Sequence, residues 1–221
     1  RSSKRAGTRR PVIAVTIGDP AGVGPEIVTR LFGGGFRPRR STALIVGSMK
    51  VLGEWMERHG LEAEEAPTLR RGASLEELSL RQVEVSANRA KSRGETRVFL
   101  VDTGCRERYS LCKDTKGGGR HAGVALELAC LMAAQGRIDG LVTAPISKNA
   151  FAKAGYPYTG HTEMFLDFFA APDCQMFMVY KNFRVVPLTR HIPIDRVGPT
   201  LTPSKIISGL AAVRRALTRD F

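Results

Sequence analysis

Residues 11–26 read Pro11-Val12-Ile13-Ala14-Val15-Thr16-Ile17-Gly18-Asp19-Pro20-Ala21-Gly22-Val23-Gly24-Pro25-Glu26. The β-branched apolar run 11–17 ends in glycine, which predicts a buried strand. Residues 18–24 predict a loop. Pro25 then sits where the first turn of a helix tolerates proline, and Glu26 suits the positive end of the helix dipole. The helix is expected to reach about Phe32 and to stop at Gly33-Gly34-Gly35. Strand, glycine-bearing loop and helix in this order form the first unit of an α/β fold.

The same alternation continues outward. Residues 42–46 predict a second buried strand. Residues 49–59 have helical spacing through Val51, Leu52, Trp55 and Met56. Residues 61–80 are a polar connector, followed by a candidate strand at 82–85 and another at 97–101. Residues 113–120, with Gly117-Gly118-Gly119, predict a flexible loop, and a strong helix follows at 121–135. Residues 139–143 predict a short buried strand, with a helix starting after Pro145. Residues 156–160 are turn-rich and lead into an apolar helix at 163–170. Strands at 175–180 and 183–189 flank a Lys181-Asn182 turn and predict a hairpin. A last helix opens at Thr202-Pro203 and runs to about Leu217. The pattern predicts an α/β fold with a mainly parallel sheet covered on both faces.

Composition bounds the function. The chain has 221 residues, 43% hydrophobic and 25% charged, as expected for a globular protein with a sizeable core. No apolar run approaches the ~18–20 residues that span a bilayer. The Arg-rich start lacks the apolar core of a secretory signal, so a cytoplasmic protein without a membrane partner is expected. Cys105, Cys112, Cys130 and Cys174 have no C-x-x-C pair and read as reduced structural thiols. The net charge of +13 points to anionic partners. Residues 1–10 hold Arg1, Lys4, Arg5, Arg9 and Arg10 without an acid, a basic arm expected to be disordered. The other basic residues lack aromatic interleaving, which favours a small phosphorylated or carboxylated substrate over nucleic acid.

Four stretches offer chemistry. Residues 18–26 lie at the C-terminal end of the first strand, where open α/β sheets place ligands. Their spacing is neither G-x-G-x-x-G nor the phosphate-loop pattern, so a tight structural turn and a ligand loop both stay open, with Asp19 as the candidate side chain. Thr143-Ala144-Pro145-Ile146-Ser147-Lys148 ends another strand. Lys148 opposes the dipole of the helix it opens, so it either faces an anion or is simply solvated. Thr159-Gly160-His161-Thr162-Glu163 and Thr189-Arg190-His191 carry two loop histidines, the residue type that most readily ligates metal or moves a proton near neutral pH. Thr162 is expected to cap the following helix, with Glu163 in its first turn. His191 is expected to follow a buried strand. Two histidines do not complete a metal site, since catalytic zinc usually has three protein ligands. His121 is expected at an exposed or capping position, and His59 near a helix C-terminus, where the dipole suits it.

The strings GDPAGVGPE, LVTAPISK, AGYPYTGHTE and TRHIPID together resemble the PdxA family of 4-hydroxythreonine-4-phosphate dehydrogenases and relatives, over residues 11–221. The resemblance implies an isocitrate/isopropylmalate-dehydrogenase-like fold, a two-lobed α/β homodimer with its active site in the cleft. It implies, after the basic arm at 1–10, a first lobe at 11–150 lacking its C-terminal return strands and the start of a second lobe at 151–221. The implied reaction is NAD- or NADP-linked oxidation of 4-phosphohydroxy-L-threonine with decarboxylation, in pyridoxal phosphate (vitamin B6) synthesis. A divalent metal (Zn, Mg, Co or Mn) would assist it. His161 and Thr162 resemble the substrate-binding pair, and His191 the first of three metal-ligand histidines. Asp19 and Lys148 are further active-site candidates, expected in catalytic positions. The other two metal histidines belong to motifs absent from this chain, which is therefore expected to be C-terminally truncated and inactive alone. Arg190 replaces a threonine of the common pattern. The alternatives are relatives acting on phosphothreonate, phosphoerythronate or aromatic cis-dihydrodiol carboxylates, and a non-catalytic dimerisation or binding remnant.

Overall fold

A computed structural model describes residues 10–33, 38, 40–60, 98–171, 175–190 and 192–220. Expectations for the arm at 1–10, apart from Arg10, for 61–80, for the strand at 82–85, for Cys174 and for His191 fall outside these residues. The chain divides into two compact units, Arg1–Met164 and Phe165–Phe221.

The first unit is built on four parallel strands. They are β1 (Val12–Thr16), β2 (Thr42–Gly47), β3 (Val98–Asp102) and β4 (Gly140–Thr143), in the spatial order β3-β2-β1-β4. β1 lies between its partners in register, Val12 opposite Thr42 and Ile13 opposite Gly140. The chain therefore steps one way through β1, β2 and β3, then returns to add β4 on the far side of β1. The helices of this unit are α1 (Gly24–Gly33), α2 (Met49–Arg58), α3 (Lys116–Ala134), α4 (Lys148–Lys153) and α5 (His161–Phe168), the last of which runs into the second unit.

The alternation of side chains along each strand supplies two cores. Val12, Ala14, Leu44, Val46, Phe99 and Val101 pack with Ala125, Leu128 and Met132 of α3. Ile17, Ala43 and Ile45 face the other way, against Val28 and Phe32 of α1 and Val51 and Leu52 of α2. β2 is buried along its whole length because helices cover both of its faces. Burying one Val, Leu or Phe side chain contributes roughly 1.5–3 kcal/mol, so these clusters drive the fold.

Two expected elements of this unit need correction. β4 is not a buried strand: it is the last strand of the described sheet, with Val142 53% exposed. An apolar run reports what a strand can bury, not whether a neighbour covers it. Residues 116–120 are not a flexible loop but the first turns of α3. Thr115 caps that helix by accepting the Gly118 N–H at 3.0 Å, a cap that contributes about 1 kcal/mol.

The glycines are there for close approach. A Cβ on Gly117 would lie 1.9 Å from the Arg108 carbonyl oxygen, one on Gly119 would lie 1.9 Å from that of Ala150, and one on Gly123 would fall on the Tyr156 ring. His121 is accordingly buried, 2% exposed, in the second turn of α3 rather than exposed at its start.

In the second unit, β5 (Met178–Tyr180) and β6 (Phe183–Val185) pair antiparallel around Lys181-Asn182, as the turn predicted. Lys181 takes the left-handed conformation, φ 52°. The strand leading toward residue 191 is not buried, since Phe183 is 68% and Val185 37% exposed. A 3-10 turn (Ile194–Arg196), α6 (Val197–Thr200) and α7 (Pro203–Asp220) complete the unit. No described helix is long and apolar enough to cross a membrane.

Candidate functional site

The site begins with topology. Strand order reverses between β1 and β4, and in open α/β sheets ligands bind outside the strand C-termini at such a switch point. The loop after β1 and the loop after β4 leave the sheet side by side there, because Thr16 pairs with Thr143. Ala144 N–H donates to the Thr16 carbonyl at 3.2 Å, and Asp19 N–H donates to the Pro145 carbonyl at 3.1 Å. Gly18 makes this closeness possible. Its φ is +73°, and a Cβ there would sit 2.2 Å from the Pro145 oxygen.

Asp19 is the hub of the arrangement. It is 3% exposed, and its Oδ1 accepts the Ala21 N–H at 2.8 Å. The carboxylate also accepts the backbone N–H of Ser147 and lies against Gly118, where a Cβ would come within 2.7 Å of Oδ1. One carboxylate thus joins the β1 loop, the β4 loop and the start of α3. Burial raises its pKa above the usual carboxylate value, and the hydrogen bonds only partly oppose this. The negative charge of Asp114 raises it further.

Asp114 braces the same edge from outside. Its carboxylate accepts the Ser147 hydroxyl and, at 3.1 Å, the Asn149 side-chain amide, while its carbonyl takes Lys153 Nζ at 2.8 Å. Those side-chain bonds hold its pKa below the ordinary value. Ser147 in turn caps α4 by accepting the Ala150 N–H at 3.2 Å. Lys148 follows as the exposed first residue of that short helix. The structure therefore brings Asp19 and the Ser147–Lys148 corner to one sheet edge.

His161 is the first residue of α5, half-buried, and burial lowers its pKa, so the ring is neutral at neutral pH. Thr162 is not the cap of this helix: the helix already includes His161, which places Thr162 and Glu163 inside the first turn. The preceding loop is anchored by Tyr156, whose ring stacks on Phe151 at 4.3 Å and whose hydroxyl takes Arg120 at 3.1 Å. Burial pushes the Tyr156 hydroxyl up to about 12.

The remaining histidines have structural positions. His121 Nε2 donates to the Glu107 carbonyl at 3.0 Å, which leaves Nδ1 as a buried lone pair without a partner among the described residues. Burial lowers its pKa as well. His59 caps α2, as its place near a helix end suggested, and its Nε2 lies 3.9 Å from Glu26. Among the described residues, no group of three His, Cys, Asp or Glu side chains could hold a metal ion. The described residues thus do not fit a complete metal centre, and the loop after β1 departs from the dinucleotide pattern. Sequence reasoning missed Asp114. The signal was present in Asp114-Thr115, a polar pair ahead of a helix, but the three glycines concealed where that helix starts.

The family described as pyridoxal phosphate biosynthetic protein PdxA matches residues 40–221. The chain is 30% identical over 211 residues to a 4-hydroxythreonine-4-phosphate dehydrogenase of Zymomonas mobilis, covering 95% of this chain and 57% of that protein. The crystal structure of a 4-hydroxythreonine-4-phosphate dehydrogenase from Burkholderia phymatum superposes with a TM-score of 0.75 at 25% identity, over 96% of this chain and 59% of that one. A terephthalate 1,2-cis-dihydrodiol dehydrogenase from Burkholderia xenovorans shares the fold, with a TM-score of 0.60 at 18% identity, over 95% of this chain and 58% of that one. The chain spans little more than half the length of these proteins. It belongs to the PdxA family.

Proposed function

We propose that this PdxA-family chain forms part of the substrate site of an NAD- or NADP-linked dehydrogenase. The enzyme would oxidise the secondary alcohol of 4-phosphohydroxy-L-threonine, and the product would decarboxylate, in pyridoxal phosphate synthesis. The observation that carries this reading is the switch-point edge held by Asp19, which lies where α/β enzymes bind their ligands. The family match supplies the reaction class.

His161 and Thr162 contact substrate in this reading. A neutral imidazole suits that task, because it donates from one nitrogen and accepts at the other. Asp19 positions the two loops, and Lys148 offers a cation to an anionic group. A divalent metal, when bound, would polarise the substrate hydroxyl and carboxylate, with His191 as one of its ligands. The described residues alone do not complete a metal site. The chain alone turns over no substrate, and the working form is a cytoplasmic homodimer. Arg190 in place of the common threonine motivates a second reading, a four-carbon acid-sugar phosphate such as phosphothreonate or phosphoerythronate, which carries a neutral hydroxyl where 4-phosphohydroxy-L-threonine carries a cationic amine.

The test is a panel of 4-phosphohydroxy-L-threonine, D-threonate 4-phosphate and an aromatic cis-dihydrodiol carboxylate. Binding is read by calorimetry, and NADH or NADPH formation by absorbance with added Zn, Mg, Co or Mn. The phosphorylated acids should bind, without turnover. Binding of the dihydrodiol alone would refute the substrate class, and metal-dependent turnover by the chain itself would refute its inactivity.

A further inference from the structure

We propose that the strap between β3 and α3 forms an anion-binding subsite for a phosphate-bearing ligand. An open surface groove of about 690 Å³ lies there, lined by Arg106, Glu107, Arg108, Thr115, Lys116 and Gly117. Three cations from two chain segments line one space. None of the three has a carboxylate within ion-pair distance among the described residues, whereas Arg30 pairs with Glu26 and Lys50 with Glu54. The lining carries one acid, Glu107, so the cations outnumber it.

The strap is fixed rather than loose. Tyr109 donates its hydroxyl to Glu54 at 2.5 Å, and Cys112 N–H donates to the Ala21 carbonyl at 2.9 Å. The Glu107 carbonyl is held by the buried His121. The Arg108 carbonyl lies so close to Gly117 that a Cβ there would fall 1.9 Å from it. This contact brings the Arg108 backbone onto the first turn of the helix that carries Lys116.

Convergence of unpaired like charges raises electrostatic energy, and an anion relieves it. Arginine suits a phosphate because its planar donors bind two oxygens together. The N–H groups of Lys116 and Gly117, at the first two positions of α3, have no intrahelical acceptor and add donors of the same sign. The groove follows the C-terminal end of β3, on the sheet edge that carries Asp19, so a ligand seated there can extend toward the switch point. The subsite is argued from the groove and its charges. Its failure would leave the assignment of Asp19, His161 and Thr162 intact.

The test is calorimetric titration of the 221-residue chain with inorganic phosphate at low salt. The variants are Arg106→Gln/Arg108→Gln and Lys116→Gln, all exposed positions, with Lys205→Gln/Arg214→Gln on α7 as a charge-matched control. Wild type should bind phosphate saturably. Each strap variant should weaken binding about tenfold or more, as expected for one lost charge-assisted contact, and the control should leave it unchanged. Protection of Lys116 from amine acylation by phosphate, read on wild type, gives a second measure that needs no variant. Displacement of phosphate by NADP+ but not NAD+ would identify a cofactor phosphate. Displacement by phosphoserine but neither nucleotide would identify a small phosphorylated acid. The proposal is overturned by absence of saturable binding, or by an equal loss in the control, which would reduce the effect to overall charge.

Discussion

Gly119→Ala discriminates between two opposite readings of residues 116–120. In a flexible loop folded into an exposed helical turn, alanine would stabilise by about 1 kcal/mol, the difference in helix propensity. In the structure, the new Cβ would stand 1.9 Å from the Ala150 carbonyl oxygen and 2.4 Å from its carbon. An ordinary contact needs the gap to widen by roughly 1.5 Å. The obstacle is backbone, so no side-chain rotation relieves it, and α3 must move away from α4. Overpacking of this kind costs about 3 kcal/mol, and the propensity gain leaves a net loss of about 2 kcal/mol. For a chain of this size that lowers Tm by about 4–8 °C. Gly53→Ala is the matched control, because α2 leaves its Cβ position open with nothing within 4 Å. It should raise Tm by about 2–4 °C. The assay is a far-UV circular dichroism melt of both variants beside wild type. Equal or higher stability of Gly119→Ala would refute the close packing of α3 against α4, and with it the geometry of the Asp19 edge.

Further outcomes follow from the same edge. Asp19 has a raised pKa in the folded chain, so its contribution to stability is greatest below its unfolded value near 3.8 and is lost as pH rises through its folded value. Asp19→Asn removes the buried charge while its one carbonyl oxygen can still accept the Ala21 N–H, and should be the more stable chain at neutral pH in urea titrations; lower stability at every pH would contradict this. His121 and His161 have lowered pKa values, so their contribution is present above about 6.5 and lost as pH falls through their folded values. Stability should therefore decline in mild acid, and His121→Phe should flatten that decline; an unchanged slope would remove His121 as a cause. Ser147→Ala removes both the α4 cap and the bond to Asp114, and should lower stability by about 1–2 kcal/mol in the same titrations, whereas Ser147→Thr should recover most of it.

Much of the scaffold was legible because strand periodicity and turn chemistry are local. The run 11–17 became β1, residues 42–46 became β2 with one residue added, and the Lys181-Asn182 turn joined a hairpin. What failed was information carried by neighbours. Gly117-Gly118-Gly119 looks like a breaker in one dimension, yet each of these glycines marks where another backbone or Asp19 approaches in three. Likewise Val142 looks buried until strand order places β4 last in the described sheet. The candidate residues split the same way. Asp19 and Lys148 were proposed because they lie in the loops that follow strand ends, a position that predicts ligand contact in parallel sheets. Asp114 and the arginines of the strap were not, since no local pattern says that residues 106–116 fold back over the sheet edge. His121 was misplaced because burial of a polar ring depends on a carbonyl fourteen positions earlier in the chain.

The central claim is that His161 belongs to a site for a phosphorylated hydroxy acid. The direct test is nitrogen-detected magnetic resonance of the chain with labelled histidine, during titration with 4-phosphohydroxy-L-threonine. The chain has only four histidines, so each ring signal can be assigned by single substitution. The His161 signals should move saturably, and those of His59 and His121 should stay in place. Saturable binding that leaves His161 unmoved, or no binding at all, would contradict the account.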